Sequence, residues 1–163
     1  MKRVTVLLLA AALLFAVGAT ASAQNAETDI FGIELGQVIG YNFDNEEVGV
    51  GQLMGIHFGM TEDMEVGFVF ISGEGGANPD MPDFSLVRMT YFLQEMFGFQ
   101  LSTGSSGGNV AGGLGVFSTP IRREFNDVLT TSLRLSVDYL MDDVTTAIDE
   151  GVLALSITGK IAF

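Results

Sequence analysis

His57 is the single histidine of the 163-residue chain, so any acid–base or hydrolytic chemistry at neutral pH would have to be built around it. A hydrolase would set the imidazole beside a serine hydroxyl, with a carboxylate to hold the ring. Ser102, Ser132, Ser136 and Asp138 are the available partners. All share with His57 the polar face of segments that alternate with period two. His57, however, falls near one end of its segment and Asp138 near the opposite end of the barrel that those segments imply. A triad is therefore not expected, and the chain is read as non-enzymatic. A lone histidine also lacks the spaced partners that a transition metal needs. No catalytic, cofactor-binding or metal-ligating residue is assigned.

Two other sets of charges are candidates. Glu34, His57, Glu65, Arg88, Arg134, Asp138 and Lys160 all lie on polar faces of alternating segments. They read either as a charged gate in a narrow pore or as a packed plug of ion pairs, and the plug is the plainer reading because an unpaired buried charge is costly. Acidic residues crowd two turns, Asp44, Glu46 and Glu47 in one and Asp142, Asp143, Asp149 and Glu150 in the other. Such clusters suit divalent cations. The segment from Met141 to Gly151 lacks the spacing of a helix–loop–helix calcium loop, so a solvated acidic rim is the plainer reading. The sequence carries no phosphate-cradling or dinucleotide-binding glycine pattern.

The elements that must position these groups are strands. In "FGIELGQVIGYNF", Phe31, Ile33, Leu35, Ile39, Tyr41 and Phe43 fall on one side, against Gly32, Glu34, Gly36, Gly40 and Asn42. In "VGVGQLMGIHFGM", Val48, Val50, Met54, Ile56, Phe58 and Met60 oppose Gly49, Gly51, Gly55, His57 and Gly59. Gln37 and Gln52 each interrupt the apolar row near its middle, and a turn between the segments would set them close to opposite each other. Further alternating segments run over about 64–72, 84–93, 97–103, 110–119, 128–140 and 151–163. The predicted connections at 44–47, 73–83, 104–109 and 141–150 fall at one rim. Those at 61–63, 94–95 and 120–127 fall at the other, and two of these three are very short.

The chain begins "MKRVTVLLLAAALLFAVGATASAQ", with Lys2 and Arg3, an apolar run too short to span a bilayer as a helix, and small residues up to Ala21, Ala23 and Gln24. This is the anatomy of a secretory signal peptide over 1–23, leaving one domain over 24–163. There are 20 Asp+Glu against 7 Lys+Arg, a formal charge of −13, so nucleic acid is a poor partner. The chain has no Cys and cannot use disulfide staples. Mean hydropathy is +0.41 although no later run is long enough for a membrane helix. Apolar residues hidden by alternation are what a membrane β-barrel shows.

Eight strands, an even number, return both ends to one rim of an up-and-down antiparallel barrel. Phe31, Phe58, Tyr91, Phe97 and Phe163 then fall near the rim of the chain ends, and Tyr41, Phe43, Phe70 and Tyr139 near the other, like the aromatic girdles of such barrels. In that topology Glu34 and Lys160 should approach each other on the first and last strands. Glu65, Asp138 and Gln100 are the candidate partners of Arg88 and Arg134.

A final strand that alternates to a terminal aromatic residue resembles the recognition signal of outer-membrane barrels, here Leu153, Leu155, Ile157, Ile161 and Phe163, with Gly159 a departure. The whole of 24–163 resembles, in pattern, the small eight-stranded outer-membrane proteins of the A, X and W kinds. The resemblance implies an outer-membrane location in a diderm bacterium, lipid as the surrounding partner, and the barrel-insertion machinery and periplasmic chaperones as partners in biogenesis. The function expected is that of a monomeric structural or surface-interacting barrel with a mostly filled polar lumen. The alternatives are a narrow small-solute channel gated by the lumen charges, and a soluble periplasmic barrel or sandwich holding a lipophilic ligand.

Overall fold

The computed structural model describes residues 31–73, 81–94, 96–126, 129–145 and 151–163. The leader over 1–23 and its cleavage signal at Ala21, Ala23 and Gln24 lie outside the described residues, as do Asp149 and Glu150. Eight strands are present: β1 (Phe31–Asn42), β2 (Glu47–Thr61), β3 (Met64–Gly73), β4 (Phe84–Gln94), β5 (Phe97–Ser106), β6 (Asn109–Asn126), β7 (Leu129–Met141) and β8 (Val152–Ala162). Each pairs antiparallel with the next, and β8 pairs with β1, so the sheet closes as an eight-stranded barrel without edges. Phe31 and Phe163 exchange both backbone hydrogen bonds at the seam, at 3.1 and 2.7 Å.

Two expected connections are in fact strand. The turn expected over 104–109 contracts to Gly107 and Gly108, with φ of 57° and 92°. A two-residue hairpin loop that follows the sheet twist needs positive φ at both positions, which glycine supplies without a Cβ clash. The polar stretch 120–127, expected as a connection, continues β6 as far as Asn126. A bulge between Ser118 and Ile121 absorbs Pro120, which has no N–H to give a ladder. Beyond it Ile121 and Phe125 point outward again, at 59% and 60% exposure, so alternation survives a charged composition.

The two faces of the wall differ sharply. Ile33, Leu35, Ile39, Met54, Phe68, Leu101, Leu114, Leu155 and Ile157 are exposed on the outside. Of the terminal row, Leu155, Ile157, Ile161 and Phe163 are exposed, whereas Leu153 is covered in a cluster with Phe43, Val137, Tyr41 and Tyr139. At the rim of the chain ends Phe31 touches Phe58 and Phe163, with ring centroids 5.5 and 6.3 Å away. Phe70, expected at the far rim, pairs instead with Met54 in mid-wall, because β3 meets β2 from Gly51 onward only.

The interior is layered. Each of β1, β3, β4, β7 and β8 carries a charged inward residue, and β2 carries His57, nearer the chain-end rim, with apolar inward residues nearer the loop rim. Val38, Leu53, Val69, Ile71, Phe84, Leu86, Leu140 and Val152 form the apolar layer, joined by Met81 from the β3–β4 connection. The lumen expected to be filled and polar is polar in one half only: its loop-side half is a packed apolar core. Valine, leucine and isoleucine on the inward parity avoid the desolvation cost that charges would bring there.

Candidate functional site

The lumen gathers Glu34, His57, Glu65, Arg88, Arg134, Asp138 and Lys160, all buried, with Asp138 toward the loop end of β7 opposite Ala154 and the others nearer the chain-end rim. They come from seven residues on six strands, and strand parity alone turns every one inward. Three carboxylates meet three permanent cations, with His57 beside them. The lumen of an eight-stranded barrel is just wide enough for side chains to fill.

Two linked groups form. In the first, Lys160 Nζ donates to Glu65 Oε1. Arg134 Nη2 donates to Glu65 Oε2 at 3.2 Å, and Arg134 Nη1 lies 4.0 Å from Glu34 Oε2. His57 Nε2 lies 2.7 Å from the same Glu34 oxygen, and Thr158 Oγ1 donates to Glu34 Oε1. The Arg134 guanidinium also stacks over Phe117, 4.7 Å from the ring centroid, where its charge meets the π face.

In the second group Gln100 Nε2 donates to Asp138 Oδ1 at 2.5 Å, and Ser136 Oγ donates to Asp138 Oδ2 at 2.9 Å. Arg88 Nη2 is 3.8 Å from Asp138 Oδ2, and Arg88 Nε donates to Ser102 Oγ at 3.2 Å. Ser136 and Ser156 hydroxyls meet at 2.5 Å across β7 and β8.

Glycines make these contacts sterically possible. A Cβ on Gly55 or Gly67 would stand 2.8 or 2.6 Å from the His57 ring, and one on Gly32 would stand 2.6 Å from Lys160 Cε. A Cβ on Gly115 would collide with Asp138 Oδ1. The long polar side chains therefore lie flat over glycines of their own or neighbouring strands, and do not reach only from across the lumen.

Glu34 and Lys160 are register partners across the seam, and Arg134 takes Glu65 while Arg88 takes Asp138. His57 is turned to Glu34, and Ser136 to Asp138, so these groups do not compose a hydrolytic triad. Sequence reading overlooked Thr158 and Ser156 as partners of the lumen groups, and above all the apolar layer. Its signal was present: Val38, Leu53, Val69 and Leu86 share parity with the inward charges. At the rim, Asp44 and Glu46 sit in the β1–β2 turn and Asp142 and Asp143 follow β7. Among the described residues no three His, Asp or Glu come together to hold a metal ion.

No protein-family model matches the chain, and no curated protein matches it. Its fold is similar to that of solved structures at low identity. One is a designed transmembrane β-barrel, 12% identical, with a TM-score of 0.49, covering 86% of this chain and all of that one. Another is Ail, the attachment invasion locus protein of Yersinia pestis, 14% identical, with a TM-score of 0.46, covering 81% of this chain and 96% of that one. The chain is an all-β, closed, antiparallel eight-stranded barrel, as its alternation pattern implied.

Proposed function

We propose that the chain is an integral outer-membrane barrel with a structural and surface-interacting role, exported by its leader and surrounded by lipid. The observation that carries this reading is the inversion of the wall. Large apolar residues are exposed on the outside of seven of the eight strands, β7 being the exception, while the lumen charges are inside and paired. In water that exterior would be a liability of unusual extent. In hydrocarbon it is the favoured solvent, and closure pairs every wall hydrogen bond internally.

The role is non-catalytic and non-conducting. The apolar layer above the charge cluster, stoppered by Met81, speaks against a pore gated by Arg88 or Arg134. The same layer occupies the space that a lipophilic ligand of a soluble barrel would take. The row ending in Phe163 is offered to the insertion machinery, with periplasmic chaperones holding the chain until then. The acidic loop rim faces outward, where divalent cations would be its solution partners.

The test is heat modifiability. Residues 24–163 refolded in detergent should migrate differently before and after boiling on a denaturing gel, with a β-type circular dichroism spectrum. A β-rich protein that stays soluble when detergent is removed, and shows no shift, would sink the membrane reading.

A further inference from the structure

The outward apolar rows differ in length around the barrel. On β3 the row runs from Met64 through Val66 and Phe68 to Phe70, seven residues. On β4 it runs from Val87 through Met89 and Tyr91 to Leu93, again seven, and on β5 from Phe97 through Phe99 to Leu101, five. Toward the loop rim each of these rows turns polar: Ser72 on β3, Ser85 on β4, Thr103 and Ser105 on β5, all exposed. Asp83, also exposed, follows above Ser85. The rows of other strands run on. Those of β1 (Phe31 to Tyr41) and β8 (Leu153 to Phe163) span eleven residues and that of β2 (Val48 to Met60) spans thirteen, broken at Gln37, Gly159 and Gln52. On the far flank the row of β6 reaches Val110, with Gly112 and the covered Ser118 within it.

These lengths translate into heights. A strand rises about 3.3 Å per residue and lies about 40° from the barrel axis, so each residue adds about 2.5 Å of height. Eleven residues give about 28 Å, enough for the ~25 Å apolar band of an outer-membrane barrel. Seven give about 18 Å and five about 13 Å. Following register partners from Gly32 through His57, Gly67, Arg88, Ser102, Gly113, Leu140 and Val152 returns to β1 at Asn42, ten residues beyond the start. Spread evenly over the strands, that stagger sets Thr103 at the height of Leu155, and Ser85 at the height of Ile39, to within about one residue. Hydroxyls on one wall therefore stand level with large aliphatic side chains on another.

A hydroxyl left in hydrocarbon without a partner costs free energy. A bilayer answers a short apolar stretch by thinning. The headgroups and ester carbonyls of the loop-side leaflet then come down to Ser72, Ser85, Thr103 and Ser105 and hydrogen-bond to them. Lipid is the occupant because the same wall is continuous apolar surface below these residues. The four positions carry hydroxyls and no cation, so they suit carbonyls and hydroxyls of the leaflet and do not select a phosphate.

We infer that the β3–β5 wall is a headgroup-docking surface that thins the loop-side leaflet against it. This rests on the membrane reading.

The chain has no cysteine, so one introduced cysteine can carry a bimane fluorophore. Residues 24–163 with Thr103→Cys, Ser85→Cys or Leu155→Cys are refolded into phosphatidylcholine vesicles containing lipid brominated either beside the ester carbonyls or near the chain ends. Ser72→Cys or Ser105→Cys stands in for a labelled chain that loses the heat shift. Shallow bromine should quench bimane at 103 and 85 more than deep bromine does, and the order should reverse at 155. Ser85→Leu with Thr103→Leu lengthens two short rows. It should raise the folded fraction in thick dioleoyl relative to thin dilauroyl bilayers about twofold. Deep quenching at 103 and 85 as at 155, or a folded fraction indifferent to both leucines, would overturn the docking surface alone. So would weak quenching by either bromine at 103 and 85 beside full quenching at 155, the mark of a second copy on that wall. An unsubstituted chain that never shows the heat shift would overturn the membrane reading and the surface with it.

Discussion

Lys160 at the last strand donates to the Glu65 carboxylate of β3, and Arg134 of β7 holds the other oxygen of that carboxylate at 3.2 Å. One buried anion thus ties the closing strands of the barrel to its opposite wall. Removing one member of such a group leaves buried charge uncompensated. Glu65→Gln should therefore destabilise the barrel by about 3 kcal/mol. Glu65→Leu combined with Lys160→Met should cost less than the two single changes together. The midpoint of urea unfolding in detergent, followed by circular dichroism, reads both.

His57 keeps its place beside Glu34 because Gly55 has no side chain. Gly55→Ala would put a Cβ 2.8 Å from His57 Nε2, with its next contacts no closer than 3.5 Å. The imidazole must swing from Glu34, at a cost of about 1–3 kcal/mol. His57→Ala in the same chain should recover most of that loss. Strict additivity of the two substitutions in the same unfolding assay would mean that the ring is not what Gly55 accommodates.

Met81 closes the loop-side end of the lumen, 4% exposed, against Gly40, Gly51 and Gly73. Met81→Asp should wet the apolar layer and raise single-channel conductance in a planar bilayer. Arg88→Ala should leave the trace unchanged, because the layer above it still seals. Conductance that responds to Arg88→Ala and ignores Met81 would place the barrier in the charge cluster instead.

Asp143 accepts hydrogen bonds from Thr145, at 2.6 Å from the hydroxyl and 2.8 Å from the backbone N–H. The hydroxyl, then the amide, hold its carboxyl below the ordinary aspartate range. A carboxylate with a lowered pKa in the folded loop stabilises it above the ordinary aspartate pKa. That contribution fades as pH falls through the folded value. Thr145→Val should move the Asp143 titration upward, as read by carboxyl carbon-13 NMR in micelles.

The wall was legible in the sequence because its signal is geometric. Parity assigns a face to each residue, so Glu34, His57 and Lys160 were turned inward before any contact was known, and Gln37 was set near Gln52. Composition misled where it stood in for parity. Arg122, Arg123 and Glu124 made 120–127 look like a connection, although Ile121 and Phe125 kept the alternation. Gly104 looked like turn and is strand, because a glycine lets β4 approach closely: a Cβ there would strike Ser85 O. Which carboxylate each cation takes was not legible. The choice of Glu65 by Lys160 depends on the stagger between strands distant in sequence. The apolar layer was missed because glycines and charges drew attention on faces that also carry Val38, Leu53 and Leu86.

The most direct measurement is a spin-label accessibility scan of residues 153–163 in lipid vesicles, one cysteine at a time. Oxygen accessibility should peak at 155, 157 and 161 and fall at 154, 156, 158 and 160, with 153 subdued under Phe43 and Tyr139. A water-soluble nickel complex should be excluded from 155 and 157. An oxygen profile without period two, or nickel access at 155 and 157, would contradict a lipid-facing wall.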